Sequence, residues 1–214
     1  MNKNELEKIT ALEITDDEFN QISCYVELLL MWNSKINLIS RKNDSSPFLS
    51  HILPALLFAQ VIDLQNKNIL DLGSGGGLPG IPLSILFEKS SFTLLDSIQK
   101  KVSVLDEIVK SLSLKNVFCV CERVENIKIK HAKNKFDIVV ARGVATIKTL
   151  VGYSLPLVNG KQILLTLKGG DLTLEKNEAL RSFPYIKITE IPVSEIINNT
   201  NILEDKKFIL VERK

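Results

Sequence analysis

The chain is poor in the residues that carry the commonest metal and covalent chemistries. Its 214 residues include three cysteines, two histidines and one tryptophan. Cys24, Cys119 and Cys121 are too few, and odd in number, for a disulfide framework, which points to a reducing, cytoplasmic setting. Cys119 and Cys121 stand two apart in a strand-like run, but two histidines leave a zinc site short of ligands. No metal is therefore expected, and both thiols are read as core packing. Aromatics make up 6% of the chain, too sparse for a platform that stacks successive bases. The uncharged run Leu72–Phe87 holds five glycines and two prolines, which excludes a membrane span there. Glu5 and Glu7 stand where a secretion signal would be apolar, so neither a targeting segment nor a membrane partner is expected. No repeat or low-complexity tract is visible.

What is present suffices for one core. Apolar residues make up 45% of the chain, and its length suits one domain plus a small appendage at roughly 150 residues per domain. The net charge of +2 excludes both a histone-like protein and an acidic tail protein. That near-neutrality hides an imbalance. Residues 1–30 carry two basic and seven acidic side chains, whereas residues 99–148 carry eleven basic and five acidic.

Residues 1–62 read as helical. Thr15 and Glu18 have capping-box spacing, and Phe19, Ile22, Val26, Leu29, Leu30 and Ile36 recur at helical steps. Ser46-Pro47 predicts a helix start, and Pro54 a kink or break. From residue 68 short apolar runs appear at 68–72, 92–96, 117–121, 136–141, 162–168, 186–192 and 207–213. The first five alternate with helix-length segments, the pattern of a parallel sheet covered on both faces. The last two are joined by the polar stretch Asn198-Asn199-Thr200-Asn201 and are expected to pair antiparallel at one edge. The division falls into a helical cap over residues 1–64 and an α/β domain over residues 65–214.

The most informative stretch is Asp71-Leu72-Gly73-Ser74-Gly75-Gly76-Gly77-Leu78-Pro79-Gly80, between a strand and a helix opening near Pro82. Gly75, Gly77 and Gly80 fit the G-x-G-x-x-G dinucleotide pattern. Asp71, Gly73, Gly75 and Gly77 fit D-x-G-x-G-x-G, the loop of S-adenosylmethionine-dependent methyltransferases. A carboxylate at Asp71 would repel a pyrophosphate and suits a cationic ammonium or sulfonium, which favours the second reading without closing the first. Asp96, at the end of the second strand, serves either cofactor by accepting from ribose hydroxyls, and equally caps the next helix. Glu122-Arg123-Val124-Glu125 follows the third strand, where backbone donors around Val124 and the Glu125 carboxylate would meet an adenine. A solvated charged turn is the plainer alternative.

These segments, with Ala141-Arg142-Gly143-Val144-Ala145 and Leu167-Lys168-Gly169-Gly170, resemble one family. It is the RsmG family, formerly GidB, of bacterial methyltransferases acting on guanine N7 of small-subunit ribosomal RNA. Tyr25, Leu28-Leu29, Trp32-Asn33, Asn37-Leu38 and His51-Ile52 resemble it too, and Gly77-Leu78-Pro79-Gly80-Ile81-Pro82-Leu83 is the most specific piece. The resemblance spans roughly residues 20–170 and implies a seven-stranded Rossmann-like class I methyltransferase sheet behind the N-terminal helical cap. It places cofactor contacts at Gly73, Leu78, Val124, Glu125 and Arg142; Gly75 and Asp96 join them from the loop reading. Two departures stand out: Pro54-Ala55-Leu56 replaces the family's usual Asp-Ser-Leu, and Ala141-Arg142-Gly143 its Ser-Arg-Ala.

The resemblance implies methyl transfer from S-adenosylmethionine to a guanine N7 in 16S ribosomal RNA, within the small subunit or an assembly intermediate, by a monomer. An N7 lone pair carries no proton, so orientation and partial drying are needed rather than a base. No obvious Ser/His/Asp set is present, and no cysteine follows a proline as in enzymes that methylate cytosine carbon. A cation should reach guanine O6 or nearby phosphates, and Arg123, Arg142 and Lys168 at strand ends are the candidates, with Arg123 and Lys168 placed at the catalytic position. Lys100, Lys101, Lys128, Lys130, Lys133 and Lys135, with His131, supply a phosphate-binding footprint or simply a solvated surface. Alternatives are a methyltransferase for another base or a small molecule, and a ribosome-assembly module without turnover.

Overall fold

The computed structural model describes residues 1–39, 46–130, 136–197 and 203–214, with side chains except at 128–130. His131, Lys133, Lys135 and the 198–201 stretch lie outside the described residues, as do the side chains of Lys128 and Lys130.

Two helices open the chain, α1 (Lys3–Thr10) and α2 (Asp16–Asn33). The Thr15–Glu18 capping box is present in full, each side chain bonding the other's backbone N–H. The buried stripe of α2 is Ile22, Tyr25, Val26 and Leu29. Leu30 falls one position off it and is 43% exposed, while Ile36 lies beyond the helix end. Pro54 does not break its helix. The chain widens to a π-turn over Phe48–Ile52, with Leu53 N–H reaching the Phe48 carbonyl, and then runs through α3 (Leu53–Leu56) into a 3₁₀ turn. That wide turn accommodates the missing proline donor.

The sheet strands are β1 (Asn68–Leu72), β2 (Ser91–Asp96), β3 (Val117–Cys121), β4 (Ile138–Arg142), β5 (Gln162–Gly169), β6 (Ile186–Pro192) and β7 (Lys206–Arg213). Between them lie α4 (Gly80–Leu86), α5 (Gln99–Ser111), α6 (Val124–Lys130), α7 (Ile147–Ser154), α8 (Thr173–Ser182) and the short α9 (Val193–Ile196). The strand order is β3-β2-β1-β4-β5-β7-β6. The first five strands are parallel, and β7 enters antiparallel between β5 and β6. The fold is thus the expected seven-stranded α/β sheet, with the antiparallel pair at one edge. The order reverses between β1 and β4, which opens a crevice at the carboxyl ends of the strands.

Side chains alternate across the sheet. Leu70, Leu72, Val139 and Ala141 pack beneath α7 and α8, while Ile69, Ile138 and Val140 face the N-terminal helices. Those helices do not stand apart. Leu6, Ile22, Leu29 and the Leu53–Phe58 run share one core with Phe92, Leu105 and Phe208, and the Phe58 and Phe208 rings meet edge to face at 4.9 Å. Gln21 adds a bond to the Leu112 carbonyl at the end of α5. Strand β3 is a sheet edge: Phe118 is 56% exposed, and Cys119 packs against the core as expected while both it and Cys121 remain half-buried. Burial and neighbouring Asp106 push the Cys119 thiol up to about 12, so it is unreactive near neutral pH. Trp32 is partly buried against the same core, under the Lys35 ammonium at 4.4 Å from its ring centroid.

Candidate active site

The loop after β1 is held from three sides. Gly73 and Ser74 donate to the Leu95 carbonyl of β2, at 2.8 and 3.0 Å. Gly80 donates to Asp71 Oδ2 at 2.8 Å, which fixes the start of α4. From the cap, Tyr25 donates to the Gly76 carbonyl at 2.8 Å. Two of the glycines show how closely the loop is packed. Gly73 has φ +72°, and a Cβ there would sit 2.7 Å from Val144. A Cβ on Gly76 would sit 2.7 Å from Leu29 of α2, so helix and loop are in close contact.

Asp71 is fully buried on the cap face of β1, and burial pushes its carboxyl up to about 7 against the help of Gly80 and Arg142. Its Oδ1 has no hydrogen-bond partner among the described residues. It is held behind the loop by Gly80 and is not part of the lining of the cleft in front.

In front of the loop lies a cleft of about 390 Å³ at the carboxyl ends of β1 to β4. It brings together Gly73, Asp96, Arg123, Val124 and Glu125 from the sequence reading. Asp96 accepts from Gly75 N–H at 3.1 Å and from Ile98 N–H at 2.9 Å, so it joins the glycine loop to the entry of α5. Val124 begins α6, where a backbone N–H has no partner within the helix. Lys101 from the basic footprint and Gly143 and Val144 from the segment that carries the resemblance also line the cleft, together with Ser97, Ile98 and Tyr153, which the sequence did not single out as site residues. Tyr153 donates to Glu125 Oε1 at 3.0 Å, and this bond is the main reason its phenol is harder to ionise than usual.

Four sequence candidates lie off this lining. Gly75 enters through its bond to Asp96, and Leu78 is buried in the core under the loop. Arg142 points to the cap face, where its guanidinium donates to the His51 carbonyl and meets His51 Nδ1, both at 3.2 Å. Burial makes that guanidinium somewhat easier to deprotonate, opposed by Tyr25 and Asp71. Lys168 bonds Glu175 at 2.6 Å and the Ala145 carbonyl at 2.9 Å. Burial raises the Glu175 carboxyl, but Lys168 and the Ile147 N–H outweigh it and hold the group below its ordinary range. The pair ties the segment between β4 and α7 to β5 and α8 through the Ala145 carbonyl and the Ile147 N–H.

The pattern of the family described as rRNA small subunit methyltransferase G, or GidB, matches residues 18–203. A ribosomal RNA small subunit methyltransferase G of Chlorobaculum tepidum is 38% identical over 193 residues, covering 87% of each chain. The chain belongs to that family. It is a methyltransferase, and its cofactor is S-adenosylmethionine. Solved structures agree on the fold. An O-methyltransferase from Bacillus cereus in complex with SAH aligns with a TM-score of 0.60 at 16% identity, over 89% of this chain and 90% of that one. A SAM-dependent methyltransferase from Aquifex aeolicus aligns at 0.58 and 16%, over 80% and 95%.

The cleft of this methyltransferase fits the nucleoside end of that cofactor. Its volume lies in the range of small-ligand sites, roughly 300–1,000 Å³. Leu72, Leu95, Ile98, Val124 and Val144 supply apolar walls for a purine, and Asp96 supplies two carboxylate oxygens for adjacent hydroxyls.

Proposed function

We propose that this methyltransferase modifies N7 of a guanine in 16S ribosomal RNA, presented in the small ribosomal subunit or an assembly intermediate in the cytoplasm. One observation supports the choice of acceptor: among the described residues lining the cleft, each carboxylate is already engaged by hydrogen bonds from the chain itself. Asp96 is held by Gly75 and Ile98, Glu122 accepts from Arg123 N–H and the Asn126 amide, and Glu125 accepts from Tyr153. Guanine N7 offers a lone pair without a proton, so such a site suffices if it orients and dries the acceptor.

The bound cofactor supplies an electrophilic methyl group on sulfonium, which leaves as a neutral thioether. The chain's own residues bind and orient. Asp96 accepts from the two ribose hydroxyls, Val124 N–H and Glu125 meet the adenine, and the backbone at Gly73 and Gly75 allows close approach of the methionine end. Leu78 and Arg142 act from behind the loop, Arg142 through His51. Arg123 is exposed at the cleft and meets guanine O6 or an RNA phosphate, with Lys101 beside it, while Lys168 holds the wall after β4. Residues 1–64 act as a cap that buttresses the glycine loop through Tyr25 and Leu29, and residues 65–214 form the methyltransferase domain, working as a monomer without a metal.

Replacing every guanine of the 16S RNA by 7-deazaguanine before reconstituting subunits removes N7 while keeping O6 and base pairing. Unsubstituted subunits are expected to accept labelled methyl groups and substituted ones none. Equal labelling would assign the reaction to another atom.

A further inference from the structure

We propose that Tyr153 is a positioning residue for cofactor specificity: its phenol holds the Glu125 carboxylate where that carboxylate accepts the exocyclic amine of adenine. This rests on the placement of adenine proposed above. Glu125 lies in the first turn of α6 with an exposed side chain that has three rotatable bonds, so strand and helix leave its direction open. The tether comes from the neighbouring segment. Helix α7 follows β4 and packs through Ile147, Leu150 and Val151, while the partly buried Tyr153 ring rests on the same core. The hydroxyl reaches past that packing to Glu125 Oε1 at 3.0 Å, and both residues line the cleft.

The roles in this bond are set by chemistry. The phenol donates, and its raised pKa keeps it a donor throughout the neutral range. A carboxylate has about four acceptor positions, so the bond from Tyr153 leaves capacity for an amine. An amino-purine then meets an acceptor held in place. A 6-oxo-purine would set its carbonyl oxygen against a carboxylate that cannot swing away, and a purine without a 6-substituent would forgo the bond. Tyr153 thereby adds a directing bond to a surface glutamate that discriminates between purines.

The test is a calorimetric titration of the wild type, Tyr153→Phe and Glu125→Gln with S-adenosylhomocysteine and with its purine analogue lacking the 6-amino group. The wild type is expected to prefer the amino ligand. Tyr153→Phe should bind the amine-free analogue as the wild type does and lose about threefold to tenfold of the preference, the scale of one hydrogen bond. If Tyr153→Phe keeps the full preference while Glu125→Gln loses it, the role of Tyr153 is overturned and the adenine placement stands. Equal losses on both ligands would make Tyr153 a packing residue and also overturn the proposal. A wild type without preference would remove the adenine placement itself.

Discussion

Replacing Asp71 by asparagine should leave the fold intact and change how its stability depends on pH. The carboxyl is fully buried, with Oδ2 on Gly80 N–H at 2.8 Å, a bond that an amide oxygen can also accept. Burial raises the group from its ordinary value near 3.8 to about 7. Between those two values the native state binds a proton that the unfolded chain has released, so stability falls as pH rises, by about 1.4 kcal/mol per pH unit. The loss is complete above about pH 7 and amounts to about 4 kcal/mol on this scale, of which about 2–3 kcal/mol falls between pH 5 and pH 7. The asparagine variant has no such proton. Urea unfolding of both proteins at pH 5, 6, 7 and 8 isolates the difference. The variant should gain on the wild type steadily up to pH 7 and then hold its advantage. A difference that stays flat from pH 5 to pH 8 would refute the argument, because it would mean that Asp71 keeps one protonation state across that range.

Three further outcomes are expected. Asp96→Ala should weaken S-adenosylhomocysteine binding by about 1–3 kcal/mol, the loss of charged hydrogen bonds; unchanged affinity in calorimetry would remove the ribose role. Gly73→Ala should destabilise the protein by at least about 1–2 kcal/mol in denaturant unfolding, because φ +72° is strained for alanine and Val144 stands in the way of its Cβ. Glu175→Ala frees Lys168 and releases Ile147, so it should lower kcat while leaving cofactor affinity within about twofold, a factor below the worth of one ordinary hydrogen bond; a fall in affinity with kcat preserved would contradict this role of the pair.

Much of the fold was legible because its signals are local. Each buried strand is a short run of β-branched and leucine residues between breakers, and the observed strands match the expected runs to within one or two residues. The Thr15–Glu18 box depends on two side chains three apart, and it formed as read. Pro54 marks an irregularity in the helix as read, but as a change of turn type, because a proline's missing donor can be absorbed by a wider turn as well as by a break. Cys119 packs against the core as read, but both thiols are only half-buried because the alternation of a strand is visible in sequence, whereas its place at the sheet edge is not. The site divides in the same way. Gly73, Asp96, Val124 and Glu125 reached the cleft since the carboxyl ends of parallel strands converge there. Asp71 and Arg142 are also near strand ends but face the cap, a parity that Leu70 and Leu72 on the opposite face already implied for Asp71. The partner of Lys168, Glu175, was not legible because it comes from the helix after its strand, and only folding brings the two together. Tyr153 could not be found at all: its role depends on the approach of α7 to the turn after β3.

The central claim is that this chain methylates a guanine at N7 in small-subunit RNA. Small subunits from cells lacking the gene, incubated with the protein and labelled S-adenosylmethionine, test it most directly when the product is cleaved with borohydride and aniline. The account expects label in 16S RNA and a single new cleavage site at a guanine. Label without cleavage would contradict the N7 assignment.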